Sequence, residues 1–191
     1  YEDPATLEKI DCALAEGGMV DGHAPGLTGR QLNAYIGAGV TSDHEATCYE
    51  EALEKLRLGQ WIMIREGTAA RNLDALYPLL QGDSFRRCLF CCDDVHPGEL
   101  LEDGHIDRIV RRAIARGANP AHAFIAASFN AAQRFGLGDT GAIAPGYFAD
   151  LVLLSDRENV TVEAVYKRGS LVAMDGELVR PVEEPKAAGR K

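Results

Sequence analysis

A chain of 191 residues is long enough to bury a substantial core and suggests one or two domains. Its 46% hydrophobic and 26% charged residues exclude a disordered chain. A formal charge of −9, with no basic run longer than a pair such as Arg86-Arg87 or Arg111-Arg112, argues against nucleic acid or an anionic membrane as the main partner. No apolar run approaches the roughly 18 residues of a membrane span, and no charged-then-apolar signal segment opens the chain. Five cysteines, an odd number without a disulfide-scaffold pattern, fit a reducing, cytoplasmic setting. Cys88-x-x-Cys91 has the spacing of a metal or redox pair. It lies in the apolar run 88–92 with no second Cys/His pair at zinc-finger spacing, so buried strand cysteines are the expectation.

In chain order, Asp3 or Thr6 caps a first helix with Leu7, Ile10, Ala13 and Leu14 at helical spacing, ended by Gly17-Gly18. Met19-Val20 begin a strand that runs into Asp21-Gly22-His23. Thr28 starts a second helix, and a strand over 40–43 meets Asp43-His44-Glu45. A helix near 48–58 follows, stopped by Gly59. Trp61–Ile64 is a short buried strand ending in Arg65-Glu66, with a helix expected from Ala70 to Leu80. The strand Cys88–Cys92 ends in Asp93-Asp94. Helices are expected over 105–116 and, after the start signal Asn119-Pro120, through Phe135. Beyond Gly136, glycines and Pro145 break the chain. Three β segments follow, at 150–154, 162–167 and 169–174, with the turn dipeptide Asp175-Gly176 after them.

The first two-thirds therefore reads as four units of strand, polar strand end and helix, starting near residues 19, 40, 61 and 88. Intervals of about 21 to 27 residues suit the (β/α) units of a barrel. The expected fold class is α/β, the C-terminal half of a (β/α)8 barrel followed by part of a small β-sandwich. The expected divisions are 1–136 for the barrel units, 137–182 for the β module and 183–191 for a flexible tail. Four units cannot close an eight-stranded barrel. That, and a first residue that is not methionine, suggest an internal fragment.

In a barrel the strand ends converge on one mouth, which makes one site of His23, Asp43-His44-Glu45, Arg65-Glu66 and Asp93-Asp94. Two histidines and an aspartate suit a borderline divalent metal, which lowers the pKa of a bound water, and a neighbouring carboxylate can then carry that proton. Each cluster alone has another reading. His23 stands in a turn, and Ser42-Asp43-His44-Glu45 and Asp93-Asp94 are also acceptable helix caps. Placement at equivalent points of successive units favours a shared site. His96, His105 and His122 lie outside the strand ends and are expected at surface or supporting positions.

Several segments resemble the bacterial adenine deaminases of the amidohydrolase superfamily. They are Asp21-Gly22-His23-Ala24-Pro25-Gly26-Leu27, Ser42-Asp43-His44-Glu45, Ile64-Arg65-Glu66-Gly67-Thr68-Ala69-Ala70-Arg71-Asn72 and Cys92-Asp93-Asp94. Asn130-Ala131-Ala132 and Gly141–Val152 are similar to the superfamily's passage from barrel to sandwich. The resemblance implies a metal-dependent hydrolase that deaminates adenine to hypoxanthine and ammonia in purine salvage. It implies His23, His44 and Asp93 as metal ligands and Asp93 as the catalytic proton carrier. Glu45, Arg65, Glu66 and Asp94 become candidates for the substrate or the supporting shell. It also implies a two-metal centre of manganese or iron, with zinc an alternative. The unpaired edges of a half barrel invite association, so a homo-oligomer is expected. Thr68 stands where serine is expected.

The family's His-x-His has no counterpart in the 191 residues, and its bridging carboxylate is not found either. The chain alone is therefore expected to bind metal weakly and to be inactive. Two other readings stay open. One is a different amidohydrolase, cutting a cyclic amide or deaminating another ring; the other is a non-catalytic α/β binding domain whose strand-end groups only cap helices.

Overall fold

A computed structural model describes residues 3–181; the tail expected at 183–191 lies outside them. Helix α1 (Pro4–Ala15) is capped by Asp3, whose carboxylate accepts from the Ala5 N–H. Strands β1 (Val20–Gly22), β2 (Val40–Asp43), β3 (Trp61–Arg65) and β4 (Cys88–Cys91) then form one parallel sheet in the order β1-β2-β3-β4. Every strand lies beside its predecessor. That is the progression of a barrel and not the reversing order of a doubly wound sheet. Crossovers run through α2 (Gly29–Gly37), α3 (Tyr49–Arg57), and α4 (Leu73–Leu76) with two 3-10 turns, Tyr77–Leu80 and Asp83–Arg87.

Strands β3 and β4 are covered on both sides, as parallel strands under helices must be. Ile62, Ile64, Cys88 and Phe90, on one face of the sheet, share a buried cluster with Leu76 and Leu80 and with Ile109 and Val110 of α6 (Ile106–Ala115). Between β4 and α6 stands a further short helix, α5 (Pro97–Glu102). Pro97 occupies its first turn, and His96 caps it by accepting from the Gly98 N–H at 3.1 Å.

Two expected helices differ in the structure for local reasons. The helix expected over 70–80 is only the single turn α4, because Pro78 lacks an N–H and its ring would meet the carbonyl four residues back. The helix expected through Phe135 is two, α7 (Pro120–Ala127) and α8 (Phe129–Arg134). Ser128 breaks it at φ −130°, ψ −80°, with its hydroxyl turned back to donate to the Phe124 carbonyl at 2.6 Å.

A second sheet is an antiparallel meander of β5 (Leu151–Asp156), β6 (Thr161–Lys167), β7 (Ser170–Met174) and β8 (Glu177–Leu178). Asp150 ties its start to the β6–β7 turn by accepting from the Arg168 N–H at 2.7 Å and from Lys167. Val160, between β5 and β6, belongs to the same buried cluster as Ile64 and Ile109.

The mouth of the parallel sheet depends on close backbone approach. A β-carbon on Gly22, the last residue of β1, would stand 2.4 Å from the Tyr35 hydroxyl and 2.8 Å from the Ser42 carbonyl oxygen. Neither the backbone nor the hydroxyl that accepts from the His23 N–H can yield without moving His23. Gly22→Ala is therefore expected to destabilise the chain by about 1–3 kcal/mol in urea unfolding, as overpacking does.

Candidate metal centre

Two loops follow β1 and β2, and a buried ion network fixes both. Lys55 of α3 is fully buried, its ammonium 2.9 Å from Asp43 Oδ2, 2.6 Å from Glu51 Oε1 and 2.7 Å from the Ala24 carbonyl oxygen. Asp43 accepts from the Ala24 N–H at 2.9 Å through Oδ1 and from the Glu45 N–H at 3.2 Å through Oδ2. Glu51 accepts from the N–H groups of Gly26 and Thr47. Three charged side chains thus hold the backbone just after His23, at Ala24 and Gly26, and at Glu45 and Thr47. Asn72 adds the third strand end: its carbonyl accepts from the Arg65 N–H at 2.7 Å, and its amide donates to the carbonyls of His44 and Ala46.

Held this way, His23, His44 and Glu45 present donor atoms that all lie within 4.8 Å of one another. His23 Nδ1 is 3.4 Å, and His44 Nε2 3.6 Å, from Glu45 Oε1. Donors bound at about 2.1 Å in tetrahedral or octahedral arrangement stand about 3.0–3.4 Å apart, so two imidazoles and a carboxylate at these separations fit a divalent cation with little movement. His44 offers Nε2 because its Nδ1 is engaged 3.1 Å from Asp21 Oδ2. His23 is the open side of the cluster, its side chain 66% exposed against 12% for Glu45.

Arg65 reaches the same place from β3. Its Nη1 donates both to Glu45 Oε1 and to Asp93 Oδ2, the latter at 2.6 Å. Burial works against the guanidinium charge, but these two carboxylates outweigh it and hold the Arg65 pKa above its ordinary value. Asp93 leaves β4 in the left-handed region, φ 55°, which aspartate tolerates better than most residues. It stands one hydrogen bond away from the three clustered donors, through Arg65.

The remaining sequence candidates lie elsewhere. Glu66 turns away from Arg65, as alternation along a strand dictates, and pairs with Arg112 at 3.0 Å while its carbonyl accepts from buried Arg108. Asp94 braces the next loop by accepting from the Ala69 N–H at 2.8 Å, the bond that most lowers its pKa. A β-carbon on Gly67 would come within 1.6 Å of Asp94 Oδ1, so glycine is required there. Cys88 and Cys91 are free thiols whose pKa burial pushes up to about 12, the opposite of a reactive or metal-binding pair. His105 caps α6, and His122 stacks on Phe85 with ring centroids 3.7 Å apart.

The sequence reading missed Asp21, Glu51, Lys55 and Asn72. Glu51 and Lys55 carry a signal at i, i+4 spacing, but it reads equally as an exposed surface pair. Asp21, two residues before His23, had no visible partner until β1 and β2 were paired in register, Asp21 opposite Ser42.

Parallel strands whose carboxyl ends gather imidazoles and carboxylates around one point place candidate metal ligands where (β/α) barrels carry their functional sites. Residues 2–172 match the model of the amidohydrolase family, and the chain belongs to that family. Members of this family generally use divalent metals. The chain is 49% identical over 186 residues to an adenine deaminase of Desulfatibacillum aliphaticivorans, covering 97% of this chain and 33% of that protein. It is 44% identical over 176 residues to the adenine deaminase of Oceanobacillus iheyensis, covering 92% and 30%. The chain thus spans about a third of the length of the curated relatives it matches. In fold it is similar to the β-aspartyl dipeptidase of Fervidobacterium islandicum AW-1, with a TM-score of 0.68, 16% identity, and coverage of 93% of this chain and 55% of that one.

The ion network gives the site a pH signature. Burial pushes the Glu51 carboxyl up, but hydrogen bonds from Lys55 and the Thr47 and Gly26 N–H groups outweigh it, leaving its pKa below 4.5. A carboxyl depressed in the folded state stabilises the fold above its unfolded pKa, and that stability is lost as pH falls through the folded pKa. Urea midpoints measured from pH 7 downward are expected to hold until about pH 4.5 and then fall. The Glu51→Gln variant is expected to be less stable at pH 7 and to show a shallower acid slope.

Proposed function

We propose that this chain contributes one face of the active centre of an adenine deaminase, which hydrolyses adenine and water to hypoxanthine and ammonia. The observation that carries this reading is the cluster of His23, His44 and Glu45 with Asp93 tethered beside it through Arg65. Its setting supports it, in a chain 49% identical to a protein named adenine deaminase. His23 and His44 hold a divalent ion, manganese or iron with zinc the alternative, since imidazole and carboxylate donors suit these metals. When bound, the ion supplies Lewis-acid activation and lowers the pKa of water towards neutrality. Glu45, already bonded to Arg65, would lend its carboxylate to the same ion.

Asp93 is the proton carrier in this reading. It takes a proton from the attacking water and delivers it to the departing amino group, so that the C–N bond breaks to a neutral amine. Arg65 donates to both carboxylates and sets the approach of Asp93. Glu66 and Asp94 act on the site only by shaping the loops after β3 and β4. A two-metal centre takes its further donors, a His-x-His pair and a bridging carboxylate, from polypeptide outside these 191 residues. The divisions 1–136 and 137–182, with β1–β4 as strands five to eight of a barrel, belong to the same reading. So do a cytoplasmic place in purine salvage and a homo-oligomeric assembly. No helix among the described residues is long and apolar enough to cross a membrane.

The test replaces the aligned third of the Desulfatibacillum aliphaticivorans relative with this chain and measures ammonia release. The manganese-loaded chimera is expected to deaminate adenine, and the chain alone is not. Asp93→Asn in the chimera is expected to lower kcat by about 10²–10⁴-fold, the range for loss of a general acid–base group. A folded, metal-loaded chimera that ignores adenine but opens a cyclic amide would contradict the assignment, and so would full activity in Asp93→Asn.

A further inference from the structure

Behind His44 a buried cation faces no carboxylate directly. Arg134, at the end of α8, is 2% exposed, and among the described residues no carboxylate lies within ion-pair distance of it. Its Nη2 donates to Ser42 Oγ at 2.6 Å and to the Val20 carbonyl oxygen at 3.3 Å, while its Nε has no partner among the described residues. Ser42 is fully buried, and its hydroxyl lies 2.6 Å from Asp21 Oδ1. The other oxygen of Asp21 is the one facing His44 Nδ1.

The donor directions along this line are forced. A guanidinium has hydrogens and no acceptor, so Ser42 Oγ must accept from it. The single hydroxyl hydrogen of Ser42 is then free only for Asp21. An ionised Asp21 is acceptor-only, which obliges His44 to place its proton on Nδ1 and leave the Nε2 lone pair towards Glu45 and His23. We infer that Arg134, Ser42 and Asp21 form a positioning relay that fixes the tautomer of His44 and so its capacity to bind a cation through Nε2. Burial lowers the Arg134 pKa and the charge of Asp21 opposes that shift, as expected of two ends of one line. The inference rests on the metal-site reading for its purpose, but the tautomer itself does not require a metal.

The relay makes an unusual demand of the Asp21→Asn variant. With Arg134 and Ser42 intact, the serine hydroxyl claims the amide oxygen of residue 21 and turns its NH2 towards His44. Nδ1 must then accept, and the proton moves to Nε2. Removing the serine hydroxyl as well, in the double variant D21N/S42A, frees the amide to rotate and restores the Nδ1–H form.

The tautomer is read by long-range ¹⁵N–¹H correlation NMR on the metal-free chain, about two pH units above the ordinary imidazole pKa. The expected results are Nδ1–H in the unmodified chain, Nε2–H in Asp21→Asn and Nδ1–H again in the double variant, with unchanged circular dichroism throughout. Manganese titration by calorimetry is expected to show 10–100-fold weaker binding in Asp21→Asn, as for loss of a carboxylate behind a ligating imidazole. His44 remaining Nδ1–H in folded Asp21→Asn would overturn the relay. Should the tautomers switch as expected while manganese binds the unmodified chain and Asp21→Asn equally, the relay stands and the metal reading falls. Because Arg134→Met risks the packing of α8, Ser42→Ala alone serves as the milder check, and His44 is expected to stay Nδ1–H there because Asp21 remains an acceptor-only carboxylate.

Discussion

The site depends on one buried ammonium. Lys55 sits where Asp43, Glu51 and the Ala24 carbonyl converge, and removing water from three charged groups is costly unless each is fully hydrogen-bonded. Here the bonds that satisfy the carboxylates come from the backbone of the two loops that carry the imidazoles and Glu45. The desolvation cost is offset only when both loops adopt this conformation. That couples the folding of α3 to the geometry of the mouth. The same coupling explains why His23 can be largely exposed and still stand within 3.4 Å of Glu45.

The carboxylates around the mouth divide between holding and reacting. Asp43 and Glu51 are buried against Lys55, Glu66 is spent on Arg112, and Asp94 is bound to backbone. Glu45 and Asp93 share one guanidinium nitrogen, and Glu45 lies 3.4 Å from His23 and 3.6 Å from His44. An arginine is suited to that place because it stays charged at any physiological pH and cannot itself donate its proton to a substrate. It bonds two neighbouring acids without competing in proton transfer. A second guanidinium, Arg134, acts from behind the sheet through a hydroxyl and a carboxylate, and reaches the imidazole of His44 without touching it.

The parallel strands were legible because each is a short apolar run ended by polar residues, and their regular spacing pointed to barrel units. The nearness of His23 and His44 was to be expected from that spacing together with the family resemblance, whereas Asp93 reaches their cluster only through Arg65. Interactions that run sideways between strands were not legible. Asp21 reads as a turn residue until its register partner Ser42 is known, and Arg134 stands 92 residues from the serine it contacts. The pattern also does not tell a buried i, i+4 pair from an exposed one, which hid Lys55 and Glu51. Helix lengths failed where a single residue competes with the backbone: Pro78 by removing a donor, Ser128 by turning its hydroxyl on the preceding turn.

The central claim is that the ends of β1 and β2 form a cation site through imidazole nitrogen. X-ray absorption at the manganese edge of the loaded chain tests it most directly. The account predicts a shell containing imidazole scattering with nitrogen and oxygen donors at about 2.0–2.2 Å, and loss of that scattering when both His23 and His44 are replaced by alanine. A shell of oxygen alone, unchanged by those replacements, would contradict it.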